Sequence, residues 1–350
     1  MDPRQAHRGA RGGRCQEVTH RQTLVTGATG CLGRHLVESL TASGSSVRAL
    51  VRQSSDSGHL EKQGVEVQTG SLTDEDDLRA AVRGVDTVFH VGGVVVDDPR
   101  GDTPELWEQI RIFNVVGTER LARVAAEAGA RRFVFCSSVR LFGFGSQLLW
   151  QEDDPRTASD LYSQGKAQAE EALLNVAGDT GLEVAIIRPR FIYGNQDRYV
   201  LPRLVKLVRR GGLVPIPGAD AACDMVYVED CVQALKLAAE RPVPSHVYNV
   251  TSGEYLTLGE ILEQIARAIG RRVRIIPLPA AAVYGAAAGA ELVSKVLRRT
   301  PPVTRTQVRW YLSDHHFSIA RARRELGYRP QFRLPEALKR IDMAQFGDVA

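Results

Sequence analysis

The chain has 350 residues, of which 43% are hydrophobic and 25% charged, and a formal net charge of +4. That is long enough for one large α/β domain with a smaller one appended, and too ordinary in composition for a disordered or fibrous chain. Basic residues are scattered, apart from those near the N-terminus and around Arg321 to Arg324. Both groups read as solvated surface, so no nucleic-acid partner is expected. Cys15, Cys31, Cys136, Cys223 and Cys231 match no zinc or CxxC spacing and read as free thiols, which places the chain in the cytoplasm.

Residues 1–21 are rich in Arg, Gly and Gln, have no apolar core, are no secretory signal and are expected to be disordered. From there short apolar runs alternate with helical patterns. Strands are predicted at Thr23–Thr26, Val47–Val51, Val65–Gln68, Thr87–His90, Phe133–Cys136 and Val184–Ile187, and helices at Leu32–Thr41, Asp74–Val82, Pro104–Ala128 and Ser159–Val176. Runs apolar on both faces, separated by helices, predict a Rossmann-type α/β fold: a doubly wound parallel sheet. After Arg188, Pro and Gly interrupt the chain, and a helix over Glu229–Glu240, a strand over Val247–Val250 and a helix over Leu258–Ile269 follow. The expected organisation is a first domain over 22–188 and a smaller C-terminal substrate-binding lobe over 189–345, partly interleaved with the first. The most membrane-like stretch, Ile275 to Ala290, is uncharged but short and contains Pro277 and Pro279, so no membrane span is expected. A helix that lines a pocket or docks on a surface is the alternative.

Two motifs carry chemistry. Gly27-Ala28-Thr29-Gly30-Cys31-Leu32-Gly33 sits between the first strand and the first helix. Gly27 permits the tight turn, Gly30 lets backbone amides approach a pyrophosphate, and Gly33 lets helix and strand pack closely. Tyr162 and Lys166 stand at i and i+4 on one helix face. A phenol with a pKa near 10 becomes an efficient proton donor and acceptor when an ammonium lies beside it. Ser138, at the end of the strand that leads into this helix, supplies a hydroxyl for an oxygen that gains charge. Ser138 also suits capping as the strand ends, and Ser137 is the weaker candidate. No metal constellation is visible, since the eight histidines are scattered apart from His315-His316.

These motifs resemble those of the extended short-chain dehydrogenase/reductase superfamily (the NAD-dependent epimerase/dehydratase type), over about residues 22 to 340. Asp86-Thr87-Val88-Phe89-His90, Asn114-Val115-Val116-Gly117-Thr118, Arg188-Pro189 with Tyr193-Gly194, Tyr227-Val228-Glu229-Asp230, Tyr248-Asn249-Val250 and Ala322 to Tyr328 also fit. The resemblance implies an NAD(P)-binding domain over 22–188, catalysis by Ser138, Tyr162 and Lys166, and a homodimer through Pro104–Ala128 and Ser159–Val176. Cofactor contacts implied are Gly27, Thr29, Gly30, Cys31, Leu32, Gly33, Val91, Gly92, Tyr162, Lys166 and Pro189, with Asn114 in support. Pro302 to Arg305, His316-Phe317-Ser318 and Leu326-Gly327-Tyr328 resemble the 3β-hydroxysteroid dehydrogenase-like group, which includes reductases of 3-oxo acids.

Departures shape the reading. Ser71, which replaces an aspartate that contacts adenine, and Leu72, which packs on the ring, join the expected cofactor contacts, and Cys223 replaces the basic residue that meets a nucleotide diphosphate. The acid that would select NAD at the end of the second strand is Val51, followed by Arg52. NADP(H) is therefore the preferred cofactor, NAD(H) the alternative, with Arg52 the principal contact and Arg34 and Arg48 as helpers. The expected activity is interconversion of a ketone and a secondary alcohol on a largely apolar small-molecule substrate of 3β-hydroxysteroid or 3-oxoacyl type, for which the Ala280–Leu297 segment is either a greasy wall or a packing helix. A sugar-nucleotide epimerase with tightly held NAD and a non-catalytic NAD(P)-binding regulator are the alternatives. Val139 and Arg140 after Ser138 argue against a dehydratase, which carries acids there. Loops 92–103, 143–158 and 193–223 are expected to line the pocket, with Trp107, Trp150 and Trp310 as packed or rim residues.

Overall fold

The computed structural model describes residues 22–94, 103–144, 149–296, 305–313 and 315–346. The disorder expected of residues 1–21 lies outside them, as do residues 95–102 and 145–148 of the expected pocket loops. In chain order the main elements of the first half are β1 (Gln22–Thr26), α1 (Cys31–Ala42), β2 (Ser46–Val51), α2 (Gly58–Glu61), β3 (Glu66–Thr69), α3 (Glu75–Ala81), β4 (Val85–His90), α4 (Pro104–Ile110), α5 (Gly117–Glu127), β5 (Arg132–Cys136), α6 (Leu161–Thr180) and β6 (Glu183–Pro189). The second half adds β7 (Ile192–Tyr193), α7 (Leu201–Val208), β8 (Gly212–Pro217), β9 (Val226–Tyr227), α8 (Val228–Glu240), β10 (Val247–Val250), α9 (Leu258–Ala268), β11 (Val273–Leu278), α10 (Ala280–Val296), α11 (Arg305–Leu312) and α12 (Leu334–Arg340).

Seven parallel strands form the central sheet, in the order β10-β6-β5-β4-β1-β2-β3. The expected doubly wound α/β architecture is the one observed. Successive residues of a strand serve opposite faces: Leu24 and Val25 are both fully buried, yet they join two different apolar clusters. One cluster packs α5 and α6 on the sheet through Leu121 and Leu173; the other packs α1 and α8 through Leu36 and Leu235. β10 returns from the second half of the chain to pair with β6, Tyr248 opposite Ile187.

Local chemistry sets the helix ends that matter here. α6 begins with a capping box, in which the Asp160 carboxylate accepts from the Ser163 amide at 2.9 Å and the Ser163 hydroxyl meets the Asp160 amide at 3.1 Å. It ends at Gly181, left-handed with φ 73°. The helix expected over Pro104–Ala128 is interrupted: Arg111–Val116 forms a wider π-helical turn between α4 and α5. Periodicity of apolar residues does not report such a turn, which is common at functional sites. The Ile275–Ala290 stretch divides into β11 and α10, with the break at Pro279.

Candidate active site

Crossovers run in opposite directions from β1 and β4, so a crevice opens at their carboxyl ends. The glycine loop lies there. Gly27 has φ +75°, and a Cβ on it would stand 2.5 Å from the Gly92 Cα. A Cβ on Gly33 would enter the Gly27 carbonyl and lie 2.8 Å from the Ala28 Cα. Gly30 caps α1 in extended backbone with no side-chain cap, and α1 has no acid in its first turn. The first-turn amides of Cys31, Leu32 and Gly33 are thus left for an external anion. This cradle fits a dinucleotide pyrophosphate, as the motif led us to expect. Thr29 offers its carbonyl to Arg34 at 3.1 Å. The Cys31 thiol donates to the Asn195 carbonyl at 3.4 Å, and burial and Asp197 push it up to about 12, so Cys31 brings its backbone rather than a thiolate. Val91 extends β4, its amide on the Thr26 carbonyl at 3.3 Å. Pro189 ends β6, opposite Val250.

Arg52 follows directly on β2 and is exposed; its carbonyl accepts from the Ser55 amide at 2.9 Å, and its guanidinium has no hydrogen-bond partner among the described residues. Because Thr26 pairs with Leu50, Arg52 emerges alongside the glycine loop. Arg48 does not join it. Its guanidinium is taken up by Glu66 at 2.9 Å and by the Ala81 and Arg83 carbonyls at 2.8 and 2.9 Å, so its expected role as a helper is corrected to a structural one. Ser71 turns its hydroxyl to Thr73 at 2.7 Å, and its amide donates to Asp77 at 2.8 Å. Leu72 packs against Gly117, where a Cβ would lie 3.0 Å away.

Ser138, Tyr162 and Lys166 come together beyond the end of β5. Ser138 caps a short 3-10 turn, Val139–Phe142, by accepting from the Arg140 amide at 3.1 Å, and its hydroxyl also reaches the Tyr162 phenol. Capping and site placement therefore coexist in one residue; Ser137 is buried. Lys166 is 4% exposed, donates to the Cys136 carbonyl at 2.7 Å and stands 4.5 Å from the centre of the Phe135 ring. Burial lowers its pKa. The Tyr162 phenol departs from the expected direction. Burial raises its pKa, and the groups that oppose this are Arg140 and Ser138 rather than Lys166.

Behind these residues runs a buried polar chain. Asn114, in the π-helical turn, clamps Val94 by accepting from its amide at 2.7 Å and donating to its carbonyl at 2.9 Å. The Asn114 carbonyl accepts from Thr118 at 2.6 Å, Thr118 meets His90 Nε2 at 2.9 Å, and His90 Nδ1 meets Thr26 at 2.6 Å. Burial and Lys166 hold the His90 pKa down at about 3, so this imidazole is neutral. A Cβ on Gly93 would lie 3.3 Å from Asn114 Oδ1 and 3.6 Å from Lys166 Nζ; His90, Asn114 and Thr118 stand in segments that the resemblance picked out, whereas the hydrogen bonds that join them carry no signal in a single sequence.

Sequence reasoning missed Arg140 as a neighbour of the phenol. Its guanidinium lies 5.8 Å from the Tyr162 ring centre and is held by Asp160 at 2.8 Å. On the substrate side Arg190 is buried beside Cys223 and Asp224, and burial brings its pKa down to about 10. Asp224 binds His316 Nδ1 at 2.6 Å and the Phe317 amide at 2.8 Å. Trp150 packs with Phe142 and Phe317 in a small apolar cluster; Trp107 is half-buried, and the Trp310 side chain is outside the description. Of the described side chains of α10, only Ala287 and Ser294 are buried, so the described part of the Ala280–Leu297 segment is mostly outside the core.

A profile of the NAD dependent epimerase/dehydratase family matches residues 23–251. The chain is 31% identical over 330 residues to a 3-beta-hydroxysteroid dehydrogenase of Mycolicibacterium neoaurum, covering 91% of this chain and 89% of that protein. It is 30% identical over 314 residues to a 4-hydroxy-2-methyl-3-oxo-4-farnesyl-3,4-dihydroquinoline-1-oxide ketoreductase of Stigmatella aurantiaca, covering 88% of this chain and 91% of that one. Among solved structures, MoeE5 in complex with UDP-glucuronic acid and NAD superposes with a TM-score of 0.69 at 26% identity, over 93% of this chain and 98% of that one.

Proposed function

The chain belongs to the NAD dependent epimerase/dehydratase family, as an NAD(P)-dependent oxidoreductase, and from that premise we propose that it interconverts a ketone and a secondary alcohol on a largely apolar substrate of 3β-hydroxysteroid or 3-oxoacyl type. The observation that carries this is the meeting of Ser138, Tyr162 and Lys166 at the end of β5, beside a glycine cradle shaped for a dinucleotide. The bound cofactor supplies or takes up the hydride. Ser138 donates a hydrogen bond to the substrate oxygen, and Tyr162 gives that oxygen its proton as charge develops. Lys166 holds the ribose hydroxyls. Exposed Arg52 beside the glycine loop supports NADP(H) over NAD(H), hence reduction as the working direction.

A sugar-nucleotide epimerase with tightly held NAD is the second reading. It draws on the guanidinium of Arg190, buried beside Cys223, which brings a cation near the position where Cys223 replaces the expected basic residue. Net change of cofactor during turnover separates the two: reduction consumes NADPH, epimerisation leaves it unchanged. We place residues 22–188 in the cofactor domain, 189–345 in the substrate lobe, the protein in the cytoplasm, and a homodimer contact on 104–128 and 159–176, which light scattering of the purified protein tests.

The experiment is Tyr162→Phe, assayed against a ketone panel with NADPH. Turnover falls by about 100-fold or more, while stabilisation by NADPH in thermal unfolding is retained. Turnover at the parental rate overturns the assignment of the proton donor.

A further inference from the structure

We propose that the lobe built on β8, β11 and α10 is a docking surface for an anionic lipid bilayer. β8 and β11 pair in parallel, with Arg274 opposite Leu213 and Ile276 opposite Pro215. Val214 and Ile216 face the core, whereas Leu213 is 66% and Ile276 36% exposed, as strand alternation requires. α10 follows directly on β11 and adds exposed apolar side chains to the lobe: Tyr284, Leu292 and Val293 are 44%, 66% and 56% exposed. An apolar surface of this kind on a water-soluble domain marks an interaction site.

Charge identifies the occupant. Arg209 and Arg210 at the end of α7, and Arg271, Arg272 and Arg274 at the start of β11, are all exposed. The Gly212 amide donates to the Arg272 carbonyl at 3.0 Å and so holds the two arginine groups at one end of the β8–β11 ribbon. The segments 198–217 and 264–290 contain no Asp or Glu. The one acid of α10, Glu291, is taken up by Arg305 at 2.7 Å, and exposed apolar side chains flanked by an excess of cations suit a headgroup layer of negative lipids above acyl chains. A second copy of this chain suits them poorly, because a two-fold contact would set arginines against arginines. The contact is peripheral, since no helix among the described residues is long and apolar enough to cross a membrane. The lobe also adjoins the candidate active site. α11 packs on α10, and its Arg309 lies 4.5 Å from the ring centre of Phe144, just beyond the turn that Ser138 caps.

The test is co-sedimentation of the full chain with extruded vesicles of phosphatidylcholine alone and of phosphatidylcholine mixed with phosphatidylglycerol. Binding is expected to the mixed vesicles only, and to weaken with salt. The R271Q/R272Q/R274Q variant weakens it by about 100-fold, from roughly fivefold per arginine. L292S/V293S weakens it too and leaves the unfolding temperature unchanged, as both side chains are exposed. Absence of binding to the mixed vesicles overturns the proposal. So does loss of binding in the arginine variant with full binding in L292S/V293S, which means adsorption by charge alone. A dimer in light scattering that L292S/V293S dissolves also overturns it, by showing that a second copy covers the face.

Discussion

Replacing Glu170 by Gln tests the frame that holds α6, the helix that carries Tyr162 and Lys166. Glu170 on α6 is fully buried and grips Arg188 on β6 through both carboxylate oxygens, at 2.9 and 2.6 Å. Arg188 is 3% exposed, donates to the Glu152 carbonyl at 2.9 Å and lies over the Phe142 ring. Gln keeps the shape and one acceptor but leaves a guanidinium buried without its counter-charge. Breaking such a pair costs about 3–5 kcal/mol. Glu152 stays within electrostatic reach of Arg188, which places the expected loss in the lower half of that range. Urea unfolding followed by tryptophan fluorescence reads it as a lower midpoint. Adding Arg188→Met removes the stranded charge and recovers part of the loss, because an apolar replacement of a buried pair is close to neutral. Activity carries a second reading. Glu170 raises the pKa of Lys166 against the effect of burial. Without it the ammonium loses its proton at lower pH, so the alkaline limb of the rate profile moves down. A loss below about 1 kcal/mol together with an unmoved alkaline limb refutes the reasoning.

Three further outcomes are expected. His90 titrates at about 3 in the fold and near 6.5 in an unfolded chain, so the unfolded state binds more protons between those values. Its contribution is complete above about 6.5 and lost as pH falls toward 3, with a slope of up to about 1.4 kcal/mol per pH unit. His90→Gln removes that part of the slope in urea titrations across this window, and an unchanged slope counts against it. Gly33→Ala presses a methyl group onto the Gly27 backbone, costs about 1–3 kcal/mol, and reduces NADPH stabilisation in thermal unfolding; full stabilisation contradicts the cradle. Arg52→Ser weakens NADPH by about 10- to 100-fold and leaves NADH unchanged in fluorescence titration, whereas equal losses for both remove Arg52 from the 2′-phosphate.

Much of the central sheet is legible because its strands are buried on both faces: β5 is buried at every residue, so its signal is composition alone. The glycine loop is legible because two backbone approaches, Gly27 to Gly92 and Gly33 to Gly27, exclude every other residue type. What stays hidden depends on contacts between distant segments. The Asn114 clamp needs a π-helical turn that keeps the apolar spacing of an ordinary helix. Arg48 looks like Arg52 until Glu66, paired from the neighbouring strand, claims it. The arginines around Arg210 and Arg272 lie far apart along the chain and meet only when β8 pairs with β11.

The same contrast bears on Tyr162. A tyrosine and a lysine one turn apart suggest a phenol made acidic by its neighbour, but here Lys166 is drawn to the Cys136 carbonyl and burial raises the phenol. A phenol held protonated at neutral pH is suited to giving a proton to an oxygen that is gaining charge, which is the need of ketone reduction. Alcohol oxidation has the opposite need, a phenol that surrenders its proton beforehand, and the groups that favour this are Ser138 and the guanidinium of Arg140. Arg140 in turn is fixed by Asp160, the residue that caps α6 and so sets where Tyr162 begins its turn. Position and proton affinity of the phenol are therefore governed from the same helix end, and in the proposed ketone reduction that end would keep the proton on Tyr162 until the substrate oxygen gains charge.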